Sequence, residues 1–181
     1  LILVPIVLFF YYHKDKLLIT KKQLLIGAIF AIAFGFVEAA VVIYLRASVG
    51  FLPGYVGTLS DVMRLATSSY QQIQAVNAIP QSLLTVEFFR EIATMVILGS
   101  VAMLAVKKTK EQFAFFLWAF AFWDIFYYVG VWLTVRWPSS FTTSDVLFLI
   151  PVVWLSEVWF PILVSGLSIV AVALNSRDAV K

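Results

Sequence analysis

Cysteine is absent from this chain of 181 residues, and histidine occurs once, as His13. No disulfide, iron–sulfur cluster or thiolate metal site can be built from it, and one imidazole cannot supply bis-His haem ligation. Charge is scarce as well: Asp, Glu, Lys and Arg make up 13% of the chain, against 62% hydrophobic residues. A soluble domain of this size would lack the polar surface to cover itself. Composition therefore points to an integral membrane protein. The HExxH, P-loop and Gly-x-Ser-x-Gly strings are all missing. No catalytic residue, metal ligand or cofactor is expected, only bound lipid. The net charge is +3 and the pI about 9.2. That excess flanks apolar runs, where membrane orientation explains it, so nucleic acid is not an expected partner.

What is present is a succession of apolar runs in a single transmembrane domain over 1–181. The expected fold is all-α, a polytopic helix bundle of about five spans. Residues 1–12 reach only ~18 Å as a helix, short of the ~30 Å hydrocarbon core. They read as a partial span whose start lies upstream. Complete spans are expected at 23–46, 83–106 and 112–135. Residues 146–174 are too long for one untilted span, at ~44 Å, and Pro151 and Pro161 interrupt them. A kinked or re-entrant piece near 146–155 is expected there, followed by a last span at 156–174. The long outer connection, 47–82, has an apolar stripe from Val62 to Val76 that fits an amphipathic helix.

Lysine and arginine set the orientation. Segments 13–22, 107–111 and 175–181 hold nine of the thirteen, while 47–82 and 136–145 hold two. The first group should be cytoplasmic and the second outside.

Two patterns inside the spans carry information. Gly27, Ala31, Gly35 and Ala39 recur every four residues, a ridge that lets another helix approach closely. The second pattern is charge. Glu38, Glu87, Arg90, Glu91 and Asp124 lie within apolar runs, and Arg46 lies at the end of one. A charge deep in a bilayer costs at least ~2.5 kcal/mol, so such groups find partners or water. Glu87, Arg90 and Glu91 can meet on one helix face. Tyr127 and Tyr128, three and four residues after Asp124, are expected donors to it. The eight residues Glu38, Arg46, Glu87, Arg90, Glu91, Asp124, Tyr127 and Tyr128 form the expected buried polar cluster. The aromatic crowd of 113–132 fits lipid and helix packing. Asp124 and Asp145 raise the possibility of an aspartyl peptidase pair, but their surroundings match no such motif. Asp145 follows Thr142, Thr143 and Ser144 and reads as a helix N-cap.

The strings Phe34-Gly35-Phe36-Val37-Glu38-Ala39-Ala40, Arg90-Glu91-Ile92-Ala93-Thr94, Trp123-Asp124-Ile125-Phe126-Tyr127-Tyr128 and Asp145-Val146-Leu147-Phe148-Leu149-Ile150-Pro151 are similar to an uncharacterised family of small bacterial multi-pass integral membrane proteins. The resemblance covers residues 24–170. It implies a bacterial inner-membrane setting and no activity. Three functions stay open. The first is a non-catalytic accessory or assembly subunit whose partners are lipid and other membrane subunits. The second is an outward-facing site for a small polar or cationic solute, or for protons. The third is a membrane-embedded, carboxylate-dependent hydrolase.

Overall fold

A computed structural model describes residues 3–14, 16–48, 81–149 and 153–176. The expected amphipathic helix in 47–82 falls on 49–80, outside the described residues. Among the described residues there are five helices and one small sheet: α1 (Leu3–Lys14), α2 (Lys21–Ser48), α3 (Gln81–Ala105), α4 (Thr109–Val135), β1 (Ser144–Phe148), β2 (Trp154–Glu157) and α5 (Trp159–Ala173). The fold is mostly helical. Among the described residues three helices, α2, α3 and α4, are long and apolar enough to cross a membrane, and α1 and α5 are shorter apolar helices. At ~1.5 Å per residue, the 15 residues of α5 reach about 22 Å.

The chain divides into two units. The first comprises residues 1–35, 95–126 and 162–181, and the second 36–94 and 127–161. In the first unit, the start of α2 is fixed by a reciprocal cap. Gln23 N–H donates to Thr20 Oγ1 at 3.2 Å, and Thr20 N–H donates to Gln23 Oε1 at 2.9 Å. This capping box satisfies two amide groups that a helix start would otherwise leave bare. The Gln23 side-chain amide then donates to Ala105 O at 2.8 Å, covering a carbonyl at the end of α3. The core of this unit gathers Tyr12, Leu17, Ile19, Leu24, Phe115, Trp118 and Val172 with small residues between them. Trp118 Nε1 donates to Leu24 O at 2.8 Å, so even the indole N–H is satisfied within an apolar core. In the same unit the Trp118 and Phe122 rings lie 4.8 Å apart.

The ridge on α2 is used inside the chain. Gly27, Ala31, Gly35 and Ala39 are all buried. In the first unit a methyl group placed on Gly27 would come within 2.5 Å of Phe115 Cζ. In the second, one placed on Gly130 would come within 2.9 Å of Ala39 Cβ. Small side chains on α2 and α4 thus allow the two helices to touch, the close approach that the four-residue spacing implies.

The region before the last helix departs from expectation. Where a kinked or re-entrant piece is expected near 146–155, the second unit holds an antiparallel hairpin of β1 and β2. Ser144 pairs with Glu157, Asp145 with Ser156, Val146 with Leu155 and Phe148 with Trp154. Leu147 is the extra residue of a bulge between Val146 and Phe148. β-branched and aromatic residues favour extended backbone, and Pro151 cannot occupy a helix interior. Val158 N–H to Thr143 O at 3.0 Å and Trp159 N–H to Phe141 O at 2.9 Å continue the pairing to the start of α5. The last helix accordingly begins at Trp159, later than the expected 156. Asp145 lies within β1 and is not a helix cap.

Arg136 ends α4 with φ of 57°, the left-handed turn that usually takes glycine. Its guanidinium lies 4.5 Å from the Trp132 ring centroid, a cation–π contact that offsets part of the backbone cost.

The close approach at Gly27 is testable. Gly27→Ala should lower stability in detergent by ~1–3 kcal/mol through overpacking against Phe115. Gly99→Ala, whose added methyl meets nothing within 4 Å, should leave the melting temperature unchanged or slightly raised. Equal melting temperatures for the wild type and Gly27→Ala would remove the packing role of the ridge at this position.

Candidate functional site

Two buried carboxylates of the second unit, Glu38 and Glu87, converge on Arg90. A guanidinium keeps its charge under all ordinary conditions, so in an apolar setting it must be paired. Arg90 sits on α3, one turn after Glu87, and the spacing brings the two side chains together. Both N–H groups along one edge of the guanidinium reach Glu87 Oε2, Nε and Nη2 each at 2.8 Å. The remaining arm, Nη1, pairs with Glu38 Oε1 from α2. Glu38 Oε2 accepts the Thr94 hydroxyl at 3.2 Å. Arg90 therefore bridges two helices through two carboxylates, and Thr94 completes the hydrogen bonding of the one contributed by α2. Arg90 retains 21% side-chain exposure, while Glu38 and Glu87 retain 8% and 9%.

Glu91, the next residue, is also buried but takes a different partner. Both its oxygens accept the Leu149 N–H, at 3.1 and 3.0 Å. Leu149 directly follows β1, so α3 holds the hairpin by its backbone. The contact also satisfies an amide just beyond the strand, a group that would otherwise need water.

The two aspartates are tied separately. In the first unit, Asp124 Oδ2 accepts the Ser165 hydroxyl from α5 at 2.8 Å. In the second, Asp145 Oδ2 accepts the Tyr128 hydroxyl at 2.9 Å, and its Oδ1 accepts the Val146 N–H, also at 2.9 Å. Tyr128, four residues after Asp124 on the same helix, is expected to donate there, but its hydroxyl donates to Asp145. Glu111 in the first unit completes the pattern, with Oε1 accepting the Leu18 N–H at 3.2 Å.

Of the expected cluster, Glu38, Glu87, Arg90 and Glu91 lie together on α2 and α3 of one unit. Tyr127 and Tyr128 belong to the same unit, and Asp124 belongs to the other. Arg46 is within α2, but its side chain lies outside the described residues. Sequence reasoning missed Thr94, Ser165 and the Leu149 amide. Thr94 is one turn after Arg90 and Glu91, a spacing that could have marked it. Ser165 stands in an apolar run with Ser168, without a charge nearby in sequence to single it out.

Chemically, these carboxylates act as hydrogen-bond acceptors and counter-ions. Among the described residues no cluster of three His, Asp or Glu side chains is arranged to hold a metal ion. Comparison with known proteins gives no further guide: no family model, no curated protein and no solved structure matches the chain.

Glu91 provides a local test. Glu91→Leu leaves the Leu149 N–H without its acceptor, at a cost of ~1–3 kcal/mol. Amide exchange at Leu149 should then quicken by about 5- to 150-fold, the same free energy expressed as a rate. Glu91→Gln keeps a carbonyl acceptor and should stay near wild-type protection. Unchanged exchange in Glu91→Leu would show that the carboxylate does not hold the hairpin.

Proposed function

We propose that this chain is a non-catalytic integral membrane protein that works as an accessory or assembly subunit of a larger membrane complex. One observation carries the reading. The buried carboxylates Glu38, Glu87, Glu91, Glu111, Asp124 and Asp145 each engage a donor or cation within the chain. Groups so committed hold helices and strands together, and a general base or nucleophile needs a lone pair turned to substrate. The surface supports the same reading. Only 22% of the α3 span is buried, against 50% for α4. Phe88, Phe89, Ile92 and Val96 are exposed along α3, a face for lipid or for neighbouring transmembrane helices. The small-residue ridge adds nothing to this argument, because Gly27 and Ala39 meet α4 of the same chain. The setting that fits best is a bacterial inner membrane, with the lysine-rich connections 13–22 and 107–111 on the cytoplasmic side.

A second reading, an outward-facing site for protons or a small cation, draws on one feature. Glu38 and Glu87 both pair with the one guanidinium of Arg90, and Glu91 is its neighbour in sequence, so a proton or cation would balance the surplus of carboxylates.

Native mass spectrometry of the protein purified in mild detergent separates the two. A subunit should appear with a second membrane polypeptide in fixed stoichiometry, and Phe89→Glu on the exposed α3 face should abolish that species while the chain stays folded. A particle containing this chain alone, unaltered by Phe89→Glu, would contradict the subunit reading.

A further inference from the structure

One end of the first unit gathers positive charge from two separate connections. Leu18 N–H to Glu111 Oε1, at 3.2 Å, joins the α1–α2 connection to the first turn of α4. Gln23 Nε2 to Ala105 O, at 2.8 Å, joins the first turn of α2 to the last of α3. Leu17 N–H to Asn175 O, at 2.9 Å, adds the end of α5. These contacts bring Lys14, Lys16, Lys21 and Lys22 together with Lys107, Lys108 and Lys110. All are exposed except Lys110, which is half-buried. The two connections, 13–22 and 107–111, carry seven lysines against Asp15 and Glu111, so seven minus two leaves an excess of five. The Glu111 carboxylate is buried and turned to the Leu18 amide.

Two of the ammonium groups are held in position. Lys16 Nζ donates to Asn175 Oδ1 at 3.0 Å, and the fully buried Asn175 is itself fixed by its amide on Ala171 O at 2.8 Å. Lys110 Nζ lies 5.1 Å from the Tyr11 ring centroid and 5.8 Å from that of Tyr12. On the same ends of the helices, Phe10, Tyr11, Leu25, Ile26, Met103 and Leu104 are exposed. Charge at the boundary with bare apolar side chains beside it matches the two halves of a lipid.

We propose that this basic end of the first unit binds the headgroup of an anionic phospholipid, with the acyl chains lying along the exposed apolar side chains of α1, α2 and α3. Membrane-proximal lysines attract anionic lipid by about fivefold in affinity per residue. The groups fixed by Asn175 and by the tyrosine rings give the phosphate defined partners beyond that diffuse attraction.

The test is native mass spectrometry of the full chain in mild detergent, titrated with phosphatidylglycerol or with phosphatidylcholine of the same acyl chains. Phosphatidylglycerol should bind at markedly lower concentration. Lys16→Gln with Lys110→Gln should weaken it about 25-fold, two lysines at about fivefold each, with little effect on phosphatidylcholine. Lys21→Gln with Lys22→Gln, at exposed positions, should weaken it in the same direction and keeps the test open if the first pair destabilises the fold. Arg136→Gln, on a different connection, should leave the preference intact. Equal binding of the two lipids, or an equal loss in Arg136→Gln, would overturn the proposal. Displacement of phosphatidylglycerol by an equal concentration of inorganic phosphate would also overturn it, reassigning the site to a free anion.

Discussion

An arginine in an apolar helix cannot shed its charge, and much of the second unit answers that constraint. Arg90 takes Glu87 from its own helix and Glu38 from α2. The first pairing follows from the three-residue spacing alone. The second requires α2 and α3 to meet at one height, so it fixes their register. Thr94 then supplies the remaining donor to Glu38. With Arg90 occupied by these two carboxylates, Glu91 is left to accept the Leu149 amide and hold the hairpin. Removing one partner from such a set costs far more than forming it gains, because the group left behind is a buried charge.

The first unit is organised by polar groups at its end. Thr20 and Gln23 cap α2, Gln23 covers a carbonyl of α3, Glu111 covers the Leu18 amide, and Asn175 receives Lys16. Each contact satisfies a backbone or side-chain group that the end of an apolar helix would otherwise expose. The same contacts concentrate lysines at that end, so capping and a basic surface arise from one arrangement.

Much of this was legible in the sequence. Long apolar runs identify α2, α3 and α4, because length and hydropathy are properties of the segment itself. The ridge from Gly27 to Ala39 shows that a helix comes close, though not that the helix is α4 of the same chain. Arg90 announces its own need for a carboxylate, and Glu87 stands one turn away. What was not legible depends on contacts distant in the chain. Ser165 has no local feature that ties it to Asp124, 41 residues away. Tyr128 was assigned to Asp124 by helical spacing, yet its hydroxyl serves Asp145, which the hairpin carries to it. The hairpin itself was hidden because an apolar run such as Val146, Leu147, Phe148 and Leu149 fits either helix or strand by pattern. Pro151 marks an interruption without saying which kind.

The central claim is that Arg90 and its carboxylates are a dry structural tie rather than a solvated binding site. A double-mutant cycle measured by unfolding in detergent tests it most directly, using Arg90→Ala, Glu38→Gln and the pair combined. For a buried tie, Arg90→Ala alone should lose ~3–5 kcal/mol. The combined variant should then be more stable than the sum of the two losses, with a coupling of ~0.5–3 kcal/mol. Strictly additive losses, or an Arg90→Ala protein as stable as the wild type, would contradict the claim and favour a solvated site.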